Sequence, residues 1–201
     1  PNRLTHGYGV HPDLVEAHAA RADLLVTVDC GIANVDEVAR LRRAGTDVIV
    51  TDHHEPGETL PDALVVHPSL VARPLPMGAE PTGAGVAFHL LWRLHRRVGI
   101  EDPLEFVDLA TIGTVADVAP LLGENRALVR EGLARMPASA WPGVRAMMAQ
   151  SRLRGAPSAR DVAFMLAPRL NAAGRLGQPE RGLELLLSAT ERRGRELALY
   201  L

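Results

Sequence analysis

Asp47-Val-Ile-Val-Thr-Asp-His-His54 is the stretch that decides the fold. A β-branched run of this kind reads as a buried strand. It is followed at once by a carboxylate and two imidazoles, groups that bind divalent cations. Upstream, Leu24-Leu-Val-Thr-Val28 has the same plan and ends in Asp29-Cys30-Gly31. Between the two, residues 34–44 read as a helix, with Asn34 as its cap, Glu37 as the capping-box partner and Gly45 as the stop. A compact strand–helix–strand unit implies parallel pairing with a right-handed crossover. In such a sheet, functional groups collect at the carboxyl ends of the strands.

Working outward, Pro12 opens a short helix over 12–20, and 63–67 form a third strand closed by Pro68. A proline-rich loop covers 68–81. Beyond it the pattern becomes helical. Helix 83–98 carries an apolar stripe of Val86, Leu90, Leu91, Leu94 and Val98, and 103–118 follows with Phe106, Leu109, Ala110 and Ile112. Further helices read as 124–135, 141–152, 159–167, 179–188 and 190–201. The fold class expected is α/β: a parallel sheet with flanking helices, followed by a helical segment.

Hydrophobic residues make up 47 % of the chain and aromatics only 3 %, so the core must be aliphatic. A single cysteine, Cys30, excludes an internal disulfide framework and suits a reducing compartment. Cys30 has no CxxC partner and reads as a small buried hydrophobe. No run approaches the ~20 apolar residues of a membrane span, and no leader pattern opens the chain. The expected location is therefore cytoplasmic, with no membrane partner. Pro1 in place of Met, and a last helix that runs out without a stop signal, read as the ends of a piece of a longer protein. Charge is unevenly spread. Residues 1–125 hold 9 Arg against 18 Asp and Glu, whereas residues 126–201 hold 13 Arg against 6. An acidic half suits cations and a basic half suits phosphates.

Asp29 follows a strand and precedes a glycine that permits a sharp turn. His53 and His54 are adjacent, so their side chains point apart and serve different tasks: one binds a metal, and the other meets a phosphate oxygen or a second metal. Asp52 can orient an imidazole. Asp117 stands in the apolar run Ala110-Thr-Ile-Gly-Thr-Val-Ala-Asp-Val-Ala-Pro120, where a lone charge needs a partner or a metal. Arg169, Asn171 and Arg175, among small residues in a loop after helix 159–167, suit phosphates. Thr82-Gly-Ala-Gly85 serves close helix packing more readily than anion binding. His67, His89 and His95 read as core or surface residues, and His6 is undecided.

Together, Val28-Asp-Cys-Gly31, Thr51-Asp-His-His54, Thr82-Gly-Ala-Gly-Val-Ala-Phe88, Gly113-Thr-Val-Ala-Asp-Val118 and Pro168-Arg-Leu-Asn-Ala-Ala-Gly-Arg175 resemble the DHH phosphoesterase family, in its RecJ-type branch of single-stranded-DNA exonucleases. The opening Asn2-Arg-Leu-Thr-His-Gly-Tyr-Gly9 is similar to a segment of that branch. The resemblance implies a phosphodiesterase with two Mn²⁺ or Mg²⁺ ions that degrades single-stranded DNA from its 5′ end in repair and recombination, with a helicase or single-strand-binding protein as partner. It implies that Asp29, His53 and Asp117 ligate metal, that His54 contacts the second metal or the scissile phosphate, and that Asn171, Arg175 and Arg169 lie at the phosphates. Oxygen and nitrogen donors without thiolates agree with those ions.

The family's earlier Asp-x-Asp motif does not occur in the 201 residues and is expected upstream of Pro1. Without it, the isolated piece is expected to be inactive or weak. Residues 1–120 are expected to be part of the catalytic domain and 121–189 its helical remainder. Residues 190–201 are expected to start a connecting helix to a second domain. The alternatives are a family member acting on short oligonucleotides or cyclic dinucleotides, and a non-catalytic nucleic-acid-binding relative.

Overall fold

The computed structural model of the chain describes residues 7–71 and 79–201. His6 and residues 72–78 of the proline-rich loop lie outside them.

Three parallel strands, β1 (Leu24–Val28), β2 (Asp47–Thr51) and β3 (Leu64–Val66), form a sheet in the order β1-β2-β3. Val28 pairs with Thr51 and Thr51 with Val66, so all three strands end level at one edge. Helix α1 (Val15–Ala19) follows a 3₁₀ turn at Pro12–Leu14, and α2 (Val35–Arg43) makes the crossover between β1 and β2. Val15, Val38 and Leu41 close over Val48 and Val50 to form a small aliphatic core. Burying such side chains stabilises by about 1.5–3 kcal/mol each. Gly45 ends the crossover at φ 92°, a conformation that costs glycine little.

Asn34 departs from the expected cap. Its side chain makes no capping bond to α2. Its carbonyl instead accepts from Val10 N–H, and its amide donates to Val10 C=O and to Glu37. A two-way bond to a distant backbone satisfies the amide better than one local acceptor does, and it ties the N-terminal segment to the crossover.

The helical half comprises α3 (Gly83–Val98), α4 (Val107–Ala116), α5 (Gly123–Arg135), α6 (Pro142–Gln150), α7 (Ala159–Asp161), α8 (Ala167–Arg175), α9 (Pro179–Leu186) and α10 (Glu191–Tyr200). Its core is aliphatic and methionine-rich, centred on Met136, Val144, Met147, Val162, Leu166 and Leu185. None of the described helices is long and apolar enough to cross a membrane.

Two further expectations are corrected. The stripe on α3 is buried only at its start: Val86 and Phe88 are inside, while Leu94 is 49 % and Val98 69 % exposed. The helix is held at its N-terminal end, where a Cβ on Gly83 would lie 2.1 Å from Asp29 Oδ1 and one on Gly113 of α4 would lie 2.4 Å from Ala84 Cβ. This is the close packing expected of Thr82-Gly-Ala-Gly85. The second correction concerns residues 167–175, read as a loop, which are helix α8. A π-helical turn, Val162–Leu166, joins α7 to α8 and puts Pro168 in the first turn of α8, where a missing N–H costs nothing.

Asp108, in the first turn of α4, is buried. Burial pushes its carboxyl above the usual range, against the pull of Ser139 and of Leu109 N–H. A carboxyl raised in the fold binds its proton more tightly than in the unfolded chain. Stability therefore falls as pH rises from the unfolded value of about 3.9 through the folded one. Asp108→Asn removes that titration. Urea unfolding should show the variant gaining on the parent protein between pH 3.5 and 7; a difference independent of pH would contradict the assignment.

Candidate metal centre

The level strand ends place Asp29, the turn Asp52-His53-His54 and His67 along one edge of the sheet. Asp52 is 1 % exposed, and its carboxylate organises the turn. Oδ2 accepts from Ile32 N–H at 3.0 Å. Oδ1 accepts from His53 N–H at 2.8 Å and His54 N–H at 3.2 Å, and lies 2.7 Å from His54 Nδ1. Burial alone would raise this carboxyl; the bonds outweigh it and hold the group below the ordinary carboxylate range. With Nδ1–H donated to Asp52, Nε2 of His54 is the nitrogen left for a ligand. The Asp52 bond also raises the His54 pKa.

His53 stands between two acids. Its Nε2 is 3.1 Å from Asp29 Oδ1 and 3.7 Å from Asp117 Oδ2. The same atom is buried and makes no directed hydrogen bond. One donor atom from each of Asp29, His53 and His54 lies within 4.8 Å of the others. The three residues expected to converge, Asp29, His53 and Asp117, are thus brought together, with Asp117 reaching the group through His53.

Each acid sits where a negative charge is unfavourable on its own. Asp29 has φ 63°, a left-handed conformation that is uncommon outside glycine, and Gly83 presses against its carboxylate. Burial pushes its pKa up, as do Asp117 and Asp52, against the opposing charges of His53 and His54. Asp117 caps the C-terminus of α4, the negative end of the helix dipole. Crowded carboxylates beside a buried, unpartnered imidazole nitrogen fit a divalent cation, which would accept the lone pair and neutralise the acids.

Two neighbours escaped the sequence reading. The Tyr8 hydroxyl donates to the Asp29 carbonyl, and its ring stands edge-on to His54 at 5.5 Å. Both Asp29 and His54 lie far along the chain from it. His67, read as a core or surface residue, is buried, and its Nε2–H donates to the His54 carbonyl at 2.7 Å while its Nδ1 accepts from Ser69 N–H. Its place straight after β3 was the available signal.

Arg169, Asn171 and Arg175 lie on α8, which packs against α4, the helix that carries Asp117. Asn171 and Arg175 are exposed and one turn apart on one face; Arg169 is half-buried on another. No ion pair or side-chain hydrogen bond engages these three among the described residues.

The family model described as the DHH family, N-terminal domain, matches residues 2–114. The chain is 55 % identical over 188 residues to the single-stranded-DNA-specific exonuclease RecJ of Thermus thermophilus, covering 94 % of this chain and 28 % of that protein. It is 42 % identical over 202 residues to the RecJ of Escherichia coli, covering 93 % and 35 %. Among solved structures, an exonuclease RecJ bound to manganese superposes with a TM-score of 0.94 at 52 % identity, over 100 % of this chain and 51 % of that one. RecJ of T. thermophilus in complex with Mg²⁺ gives 0.72 at 48 % identity, over 89 % and 24 %. The chain thus spans only about a quarter to a third of these two curated relatives.

Titration calorimetry with Mn²⁺ on the intact protein checks the centre. Asp29→Ala and His53→Ala are each expected to weaken binding by at least about tenfold, and Asp52→Asn by about 10–100-fold through loss of orientation. Unchanged affinity in the first two would refute the assignment.

Proposed function

The chain belongs to the DHH family, and on that footing we propose that its parent protein is a metal-dependent phosphodiesterase, a single-stranded-DNA exonuclease working from the 5′ end. The observation that carries this reading is the buried Nε2 of His53, without a hydrogen bond and held between Asp29 and Asp117. The manganese and magnesium in the RecJ structures support assigning those ions here.

Asp29, His53 and Asp117 would hold the first ion, and His54, through Nε2, the second ion or the scissile phosphate. Bound there, two divalent cations supply an activated water and charge neutralisation at the phosphate. The protein's own part is positional. Asp52 keeps the His54 ring in one tautomer and its Nε2 lone pair forward. Gly83, with no Cβ, lets the N-terminus of α3 close against Asp29. Asn171 and Arg175 offer donors to successive phosphates, and Arg169 reaches a third; guanidinium suits phosphate because it binds through two N–H groups. Residues 1–120 would form the catalytic part and 121–189 its helical remainder. In residues 190–201, α10 packs on α6 and would lead towards a second domain. A nuclease limited to single strands needs them supplied, so a helicase or single-strand-binding protein is its natural partner, in the cytoplasm.

The 5′ polarity and the preference for DNA rest on likeness to the RecJ proteins. The intact protein with Mn²⁺ is expected to shorten a long single-stranded oligonucleotide from its 5′ end and to spare duplex. Arg175→Ala is expected to lower kcat/KM by about 10–100-fold, the loss of one charge-assisted phosphate contact. Cleavage of dinucleotides alone would favour the oligonucleotide or cyclic-dinucleotide reading, and no cleavage with Mn²⁺ binding intact would favour a non-catalytic relative.

A further inference from the structure

The run from α7 through the π turn to α8 has a buried face, with Val162, Leu166, Ala167 and Ala173, and an exposed face, with Phe164, Pro168, Asn171 and Arg175. A phenylalanine on the exposed face is the anomaly. Phe164 is 74 % exposed in a chain with only three phenylalanines. The Arg160 guanidinium carbon lies 5.8 Å from the centre of its ring. That stacked pair is held from behind, because Ser151 Oγ–H donates to the Met165 carbonyl and fastens the end of α6 to the π turn.

The arginines of this half divide into two groups. Arg135, Arg145, Arg181, Arg192, Arg193 and Arg195 each have a glutamate partner. Arg152, Arg154, Arg160, Arg169 and Arg175 have no ion pair among the described residues. Arg126 and Arg130 on α5 likewise have no ion pair among the described residues; of the unpaired cations, Arg160 stands at Phe164, and Arg169 and Arg175 lie on α8. A surface that interleaves unpaired arginines with an exposed ring suits a strand that carries both phosphates and flat bases. Folded protein surfaces and duplex DNA do not offer free bases to stack.

We propose that Phe164, backed by Arg160, is a stacking platform for one base of a single-stranded DNA whose phosphates run along Asn171 and Arg175. Phe164 precedes Arg175 by about 16 Å of helix, so the stacked base belongs to a nucleotide a few positions along the strand from the phosphate at Arg175. The proposal rests on the single-strand reading above and assigns the part of that strand away from the metal centre.

Fluorescence anisotropy on the intact protein in EDTA, which blocks cleavage, tests it with two labelled probes of equal length: oligo-dT and an abasic strand with the same sugar–phosphate backbone. The parent protein is expected to bind oligo-dT more tightly. Phe164→Ala should weaken oligo-dT binding by about 5- to 100-fold, the contribution of one stacked base, and leave the abasic strand unchanged. Phe164→Trp should restore oligo-dT binding. If Phe164→Ala leaves oligo-dT binding unchanged, or weakens both probes equally with a fall in Tm, the platform is refuted and the ring is a packing contact. A parent protein that binds neither probe would refute the single-strand reading itself.

Discussion

The centre depends on one buried carboxylate. Asp52 accepts from Ile32 N–H on one side and from the His53 and His54 turn on the other. It therefore joins the loop after β1 to the turn after β2. A buried charge with several hydrogen bonds is costly to disturb, because each donor lost leaves part of the charge uncompensated in a low dielectric. That cost gives the two histidines fixed directions: His54 is bonded at its N–H, at Nδ1 and, through His67, at its carbonyl.

Around this joint the protein accumulates arrangements that are each unfavourable alone. Asp29 sits in left-handed backbone, half-buried and beside the negative charges of Asp117 and Asp52, and Asp117 ends a helix on its negative pole. His53 Nε2 is buried without a hydrogen bond. A divalent cation held there would neutralise the two acids and take up the His53 lone pair. Natural proteins tend to break local rules where function compensates elsewhere, and here the breaks converge on a few ångströms at the carboxyl edge of the sheet.

The helical half shows a comparable contrast in its surface charge. Glutamates neutralise the arginines of α10 and its neighbours, whereas those from 152 to 175 stand unpaired.

Much of this was legible in the sequence. β-branched runs followed by acids and imidazoles marked β1, β2 and the candidate ligands after them, and Thr82-Gly-Ala-Gly85 marked a close crossing. Periodicity encodes which face of an element is apolar and where its backbone must turn. It does not encode which neighbour arrives at that face. The partner of Asn34, the exposed end of α3, the π turn that lets a helix run past Pro168, and the contacts of Tyr8 and His67 with the site were decided only by the tertiary structure. Each depends on groups far apart in the chain, or on a local distortion, and only packing of the whole fold selects among such alternatives.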